Sequence, residues 1–235
     1  VSRPRPVVTI DGPAGAGKST VTRRVAAELG YLLLGTGALY RAVALAAQRA
    51  RTPWSDAAAV GALARRLVAA GDLAVARRPS GEQRVLLEGE DVTDALAEER
   101  IGQGASEVSA HPEVRAALLE VQRQAGAAGG IVAEGRDVGT VIFPDAEAKF
   151  FLTASVSVRA RRRYEELIER GLPVELERLE REVAERDRRD TERAEAPLRC
   201  ADDAVTIDSS ALSVDEVVAI IVERVRAVAA QLEAR

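Results

Sequence analysis

Gly12-Pro13-Ala14-Gly15-Ala16-Gly17-Lys18-Ser19 follows the pattern G-x-x-x-x-G-K-[ST] throughout. Phosphate binding asks for this spacing. The glycines let the backbone wrap closely and turn its N–H groups toward phosphate oxygens. A helix beginning at the lysine presents its positive end to the same anions. Lys18 is expected to reach the β- and γ-phosphates, and the Ser19 hydroxyl to contact Mg²⁺. Only two of the 33 basic residues are lysines, Lys18 and Lys149, so a lysine stands here where the chain otherwise uses arginine.

Three further clusters combine arginines with carboxylates or hydroxyls. They are Gly35-Thr36-Gly37-Ala38-Leu39-Tyr40-Arg41, Glu134-Gly135-Arg136-Asp137-Val138-Gly139-Thr140, and Arg186-Asp187-Arg188-Arg189-Asp190-Thr191-Glu192-Arg193. Arginine binds phosphate bidentately and stays charged. Taken singly, each cluster also reads as a structural salt bridge or a solvated helix face.

A GTPase would need an N-K-x-D base-reading motif, and the chain contains no asparagine. No apolar strand ending in Asp-Glu, as in motor or transport ATPases, is evident. Small-molecule kinases remain. His111 and Cys200 are the only residues of their types, which excludes an internal disulfide and cysteine- or histidine-rich metal sites. Both read as bland residues, His111 at a loop or helix start and Cys200 in packing.

The elements that must position these residues read as a parallel α/β pattern. Val7 to Ile10, Tyr31 to Leu34, Ile131 to Ala133, Lys149 to Leu152 and Val205 to Ile207 are short apolar strand candidates. Lys18 to Leu29 has helical spacing and stops at Gly30. Thr36 to Gln48, Ile101 to Ala127 with a break near His111-Pro112, and Val214 to Leu232 are also helical. The clusters after the second and third strands lie where ligands of open α/β sheets bind. Between 61 and 105 the pattern changes to hairpin-like strands around a turn at Pro79-Ser80-Gly81, followed by a further short strand in 88–93. Residues 156 to 196 form a block of interspersed charges, read as a helical hairpin broken at Gly171-Leu172-Pro173.

The chain has 235 residues, of which 47% are apolar, enough for a sizeable core. A net charge of -4 and 3% aromatics argue against a nucleic-acid binder. No apolar run is long enough to span a membrane. Val1 to Pro6 lacks the apolar centre of a signal peptide, and a cytoplasmic location is expected.

In this order, the motifs resemble the bacterial cytidylate kinases, a family of nucleoside monophosphate kinases. The resemblance runs from Val7 to about Val222. Its marks are Ile10 to Ser19, Thr36 to Arg41, Gly135 to Thr140, Phe143-Pro144-Asp145-Ala146 and Arg186 to Leu198. It implies a P-loop NTPase-type five-stranded parallel sheet flanked by helices. It also implies a core of 1–60, 106–155 and 197–235, a small β-containing monophosphate-binding insert at 61–105 and a helical lid at 156–196. The implied reaction moves the γ-phosphate of ATP to CMP or dCMP, with Mg²⁺ and with no nucleic-acid or membrane partner. A monomer is expected.

Site residues follow from the same resemblance. Gly12 to Ser19, with Thr20, would bind ATP. Thr36 would lie near the cytosine, and Arg41 and Arg136 would hold the acceptor phosphate. Ser106 and Arg115 would address the base edge, and Asp137 would accept from the cytosine amino group. Arg186 and Asp190 would contact the ribose, Arg193 would come in from the lid, and Arg159 would lie near the donor. Lys18, Arg136, Arg159, Arg186 and Arg193 form the expected catalytic set. Gly35 departs from the family, which commonly has aspartate there. Other P-loop kinases, acting on UMP/CMP or dephospho-coenzyme A, are the nearest rivals. A nucleotide-binding regulator without turnover is another.

Overall fold

A computed structural model describes residues 3–77 and 83–234, with the side chain of Arg77 left aside. The turn expected at Pro79-Ser80-Gly81 lies outside the described residues. The chain divides into two compact units, one of residues up to Tyr31 together with those from Gly130 onward, the other of Leu32–Gly129.

The first unit begins with β1 (Val7–Asp11), all five residues buried. A strand covered on both faces has no solvent side, so its sequence runs apolar without alternation. It pairs in parallel with β6 (Ile131–Gly135) and β7 (Ala148–Thr153), and β7 pairs in parallel with β8 (Val205–Asp208). With β2 (Leu32–Gly35) the strand order is β2-β6-β1-β7-β8, a five-stranded sheet.

α1 (Lys18–Leu29) occupies the expected residues and ends at Gly30 with φ 64 and ψ 32, whose N–H closes on the last carbonyls. It packs against α8 (Val214–Glu233), which starts in a capping box of Ser213 and Glu216. α6 (Val156–Glu169) and α7 (Leu176–Glu192) form the helical hairpin expected from the charged block. They meet through Ala160, Leu167 and Leu179. Lys149, the second lysine, is structural. Its Nζ donates to the Pro144 carbonyl at 2.6 Å and to Asp203 at 3.0 Å.

In the second unit, β2 leads into α2 (Thr36–Arg49), followed by α3 (Ala57–Ala70). Then come β3 (Leu73–Arg77), β4 (Gln83–Leu87) and β5 (Glu90–Asp91), an antiparallel three-stranded sheet. The expected strand in 88–93 shrinks to this one pair. Glu88 and Gly89 both take positive φ, 50° and 81°, and turn the chain tightly between β4 and β5. α4 (Glu99–Val108) and α5 (Pro112–Ala125) complete the unit, with His111 at the helix start between them. Leu39, Val43, Leu67, Leu87, Ile101 and Leu118 share one core. The change of pattern expected at residue 61 falls inside α3, a helix the apolar periodicity does not announce. Its alanines spread weak hydrophobicity around the whole circumference. Its caps are plain, since the Asp56 side chain accepts from Ala59 N and Gly71 ends the helix at φ 73.

Gly104 shows how tightly this unit packs. A Cβ there would stand 2.5 Å from Cε2 of Trp54. The indole cannot easily yield, because its Nε1 donates to the Ala44 carbonyl at 2.9 Å. The His111 Nε2–H donates to the Trp54 carbonyl at 2.7 Å, fixing the backbone as well. Gly104→Ala is therefore expected to cost about 1–3 kcal/mol by overpacking. Urea unfolding measures it, and an unchanged midpoint would contradict this packing.

Candidate active site

The phosphate-binding loop leaves β1 with no slack. Gly12 has φ 149, and a Cβ on it would fall 1.9 Å from the Leu152 carbonyl oxygen. Gly15 and Gly17 also take positive φ, at 76° and 87°. Here glycine is required by both conformation and space. Lys18 opens α1 and is 7% exposed. Its Nζ donates to the Pro13 carbonyl at 2.7 Å. Burial, and then the positive charge of Arg136, hold its pKa well below the ordinary lysine value, against the pull of Glu134 and Asp11. The Ser19 hydroxyl donates to Glu134 Oε2 at 3.1 Å. Ser19 and Thr20 are exposed at the loop's end.

The segment after β6 carries Arg136 and Asp137. Arg136 Nε donates to Asp190 Oδ2 at 2.7 Å. Arg193 Nη2 lies 3.6 Å from Asp137 Oδ1, with both side chains largely buried. The end of α7 and the segment after β6 are thus joined by two crossed ion pairs. Burial pushes the Asp190 carboxyl up, but the charges of Arg136, Arg186 and Arg193 outweigh it and hold the pKa below the usual value. The structure therefore brings together Lys18, Ser19, Arg136, Asp137, Asp190 and Arg193 within one unit, with Arg186 close enough to act on Lys18 and Asp190 through its charge.

Arg159 has a different setting. It is 3% exposed, and its guanidinium donates to the carbonyls of Ala154 at 2.8 Å and Ala14 at 3.0 Å. It also forms a two-pronged pair with Asp187 of α7. Ala14 belongs to the phosphate-binding loop, so Arg159 ties α6 and α7 to that loop.

The second unit holds the remaining expected residues. Thr36 is the first residue of α2 and is buried. Before it, Gly35 N donates to Gln83 Oε1 at 2.6 Å, and Gln83 Nε2 donates back to the Gly35 carbonyl at 3.4 Å. Where the resemblance leads to an expected carboxylate, this chain brings a side-chain amide from β4 to the backbone. Arg41 Nη1 donates to the Leu96 carbonyl at 2.7 Å. The Arg115 guanidinium stands 5.6 Å from the centre of the Tyr40 ring, a cation–π arrangement, and donates to the Ser109 carbonyl at 3.2 Å. Ser109 Oγ in turn donates to the Ser106 carbonyl at 3.1 Å, linking the two base-edge candidates across the break between α4 and α5.

Three acids that lie in the quoted motifs but received no role of their own join the site: Asp11, Glu134 and Asp187. Glu134 follows the apolar run of β6, one residue before that strand's end, a signal open to reading. Asp11 is 4% exposed and accepts from the N–H groups of Val138 at 2.9 Å and Gly139 at 2.7 Å. Its immediate precedence to Gly12 was the only hint.

A parallel sheet, a glycine loop wrapped around a buried lysine and arginines held on separate segments define a P-loop phosphotransferase. The family model described as "Cytidylate kinase" matches residues 8–227. A cytidylate kinase of Geobacter sp. (strain M21) is 52% identical over 212 residues, 90% of this chain and 88% of its own. One of Methylococcus capsulatus (strain ATCC 33009 / NCIMB 11132 / Bath) is 52% identical over 213 residues, covering 91% and 93%. The chain belongs to the cytidylate kinase family. Among solved structures, an uncharacterized protein of Eubacterium ventriosum ATCC 27560 shares the fold, with TM-score 0.50 at 11% identity over 95% of this chain and 99% of its own. Among the described residues, no helix is long and apolar enough to cross a membrane.

Burial raises the Asp11 pKa from 3.8 to about 6, helped by the negative charge of Asp137 and opposed by the two N–H groups and Lys18. A carboxyl whose native pKa is raised favours the fold below its unfolded pKa and loses that contribution as pH rises through the native value. Between about pH 4 and about pH 6.5, the parent is expected to lose roughly 2–3 kcal/mol relative to Asp11→Asn. Paired urea unfolding curves at the two pH values check this, and a constant difference between the proteins would contradict it.

Proposed function

We propose that the protein transfers the γ-phosphate of ATP to CMP or dCMP, giving ADP and CDP or dCDP. Membership of the cytidylate kinase family over residues 8–227 carries this reading. An oxygen of the acceptor phosphate attacks the γ-phosphorus, and the bond to ADP breaks in line. The attacking oxygen is already anionic, so no side chain need remove a proton. The demand on the protein is to hold two polyanions together and to neutralise their charge.

Each site residue then has a task. Gly12 to Thr20 wraps the triphosphate, and Lys18 exchanges the Pro13 carbonyl for phosphate oxygens. Ser19 and Glu134, two hard oxygen donors 3.1 Å apart, suit Mg²⁺ and would hold it, directly or through water. When bound, Mg²⁺ supplies charge neutralisation at the β- and γ-phosphates. Arg41 and Arg136 hold the acceptor phosphate. Arg186 and Asp190 address the ribose, and Arg193 adds positive charge from the lid. Arg159 adds charge beside the loop while tied to Asp187. Thr36, Ser106, Arg115 and Asp137 read the cytosine. Asp137 accepts from the amino group that uracil lacks, and a buried acceptor left without a donor penalises the wrong base.

Residues 61–105 serve as the monophosphate-binding insert within the second unit. Residues 156–196 serve as a lid that keeps water from the γ-phosphate. The protein works as a cytoplasmic monomer, without nucleic acid or membrane.

The test is ADP release with ATP and Mg²⁺ against CMP, dCMP, UMP, AMP and GMP at equal concentration. Turnover is expected with CMP and dCMP only. Asp137→Ala should then lower kcat/KM for CMP about 100-fold, the kinetic equivalent of roughly 3 kcal/mol, with little change in KM for ATP. Preference for another monophosphate would overturn the base reading, and no turnover with any would overturn the activity.

A further inference from the structure

We infer that Asp11 is a positioning residue for phosphoryl transfer: its carboxylate, acting through the backbone of Val138 and Gly139, fixes Arg136 and Asp137 against the phosphate-binding loop. The inference rests on the transfer reaction proposed above and adds a residue to its machinery.

The geometry comes from the C-terminal end of β1. On one side, Asp11 is followed at once by Gly12, which the Leu152 carbonyl pins in place. On the other, both carboxylate oxygens of Asp11 take N–H groups from the start of a π-helical turn, Val138–Ile142. The partners are 127 and 128 residues away in sequence. Asp137 immediately precedes this turn, and its carbonyl accepts from Val141 N at 2.9 Å. Holding the first two N–H groups of the turn therefore holds the backbone of Asp137, and Arg136 one residue earlier. Asp11 also sits opposite Gly135 in the β1–β6 register. One carboxylate thus joins the start of the ATP loop to the segment that carries an acceptor cation and the base-reading acid.

The turn closes only because residue 139 is glycine. A Cβ on Gly139 would lie 2.8 Å from Thr9 Oγ1 and 3.3 Å from Asp11 Oδ2. The close approach and the paired N–H bonds are independent signs that this junction is held to a narrow geometry.

A purely structural reading is less apt. The neighbours of Asp11 in β1 are apolar or threonine, and the strand is already tied by main-chain pairing on both sides. Burying a carboxylate there opposes folding, as its raised pKa indicates. Retaining a group that weakens the fold fits a residue kept for site geometry.

The experiment uses full-length Asp11→Asn, which keeps the side-chain shape but only one oxygen. Gly139→Ala serves as a second variant that pushes on the same junction from the other side. Unfolding midpoint, ATP affinity by equilibrium dialysis, and steady-state kinetics are measured for each. For Asp11→Asn, the midpoint at about pH 7.5 should be no lower than the parent's. ATP affinity should stay within about twofold, while kcat/KM for the acceptor falls about 100-fold, the scale of a misplacement near 1 Å. Gly139→Ala should show the same split between ATP and acceptor, so it decides the matter if Asp11→Asn fails to fold. Parent-like acceptor kinetics in a folded variant would overturn the inference. So would a proportional loss of ATP and acceptor binding together with a lowered midpoint, which marks a structural role. If the parent prefers another monophosphate, the split is read with that acceptor, so the base reading fails without deciding this inference.

Discussion

Two polyanions must be brought within bonding distance, and their mutual repulsion is the constraint on which this structure depends. Fixed cations answer it, and fixed cations repel one another when no ligand is present. The protein resolves this by giving each cation a local acid or carbonyl. Arg136 rests on Asp190, Arg193 lies near Asp137, Arg159 is clasped by Asp187 and Lys18 donates to the Pro13 carbonyl. The cations are therefore held close together by paired acids and carbonyls, in a chain with a net charge of -4.

Burial sets how much these pairings matter. In a poorly solvated site each charge acts more strongly on its neighbours. That is why Lys18 is held low by its own burial and by Arg136, and why Asp190 stays ionised despite its burial. Backbone economy does the rest. Gly12 has no room for a side chain against Leu152, and Gly139 has none against Thr9. Gly12 lets the loop pass close to β7, and Gly139 lets its turn approach β1 closely enough for short hydrogen bonds to Asp11.

Local features were the legible ones. The phosphate-binding loop, α1 with its Gly30 stop, the five strands and the charged hairpin all carry signals within a dozen residues of one another. α3 escaped because its alanine-rich sequence has little periodic contrast, although Asp56 and Gly71 mark its ends. Arginines in the site could be placed by motif. The tasks of Asp11, Glu134 and Asp187 could not be placed so, because their partners Val138, Ser19 and Arg159 lie 127, 115 and 28 positions away. Such pairings exist only once the sheet has formed. The Gln83 amide that closes on Gly35 is of the same kind, with the partners 48 residues apart.

The central claim is that the protein supplies position and charge, with no covalent step of its own. The most direct test uses ATP made chiral at the γ-phosphorus with oxygen isotopes and thiophosphate, followed by configurational analysis of the cytidine product. Direct in-line transfer between the two substrates inverts the configuration, and that is the result this account requires. Retention would mean that the phosphoryl group passes through a residue of the protein, and would contradict it.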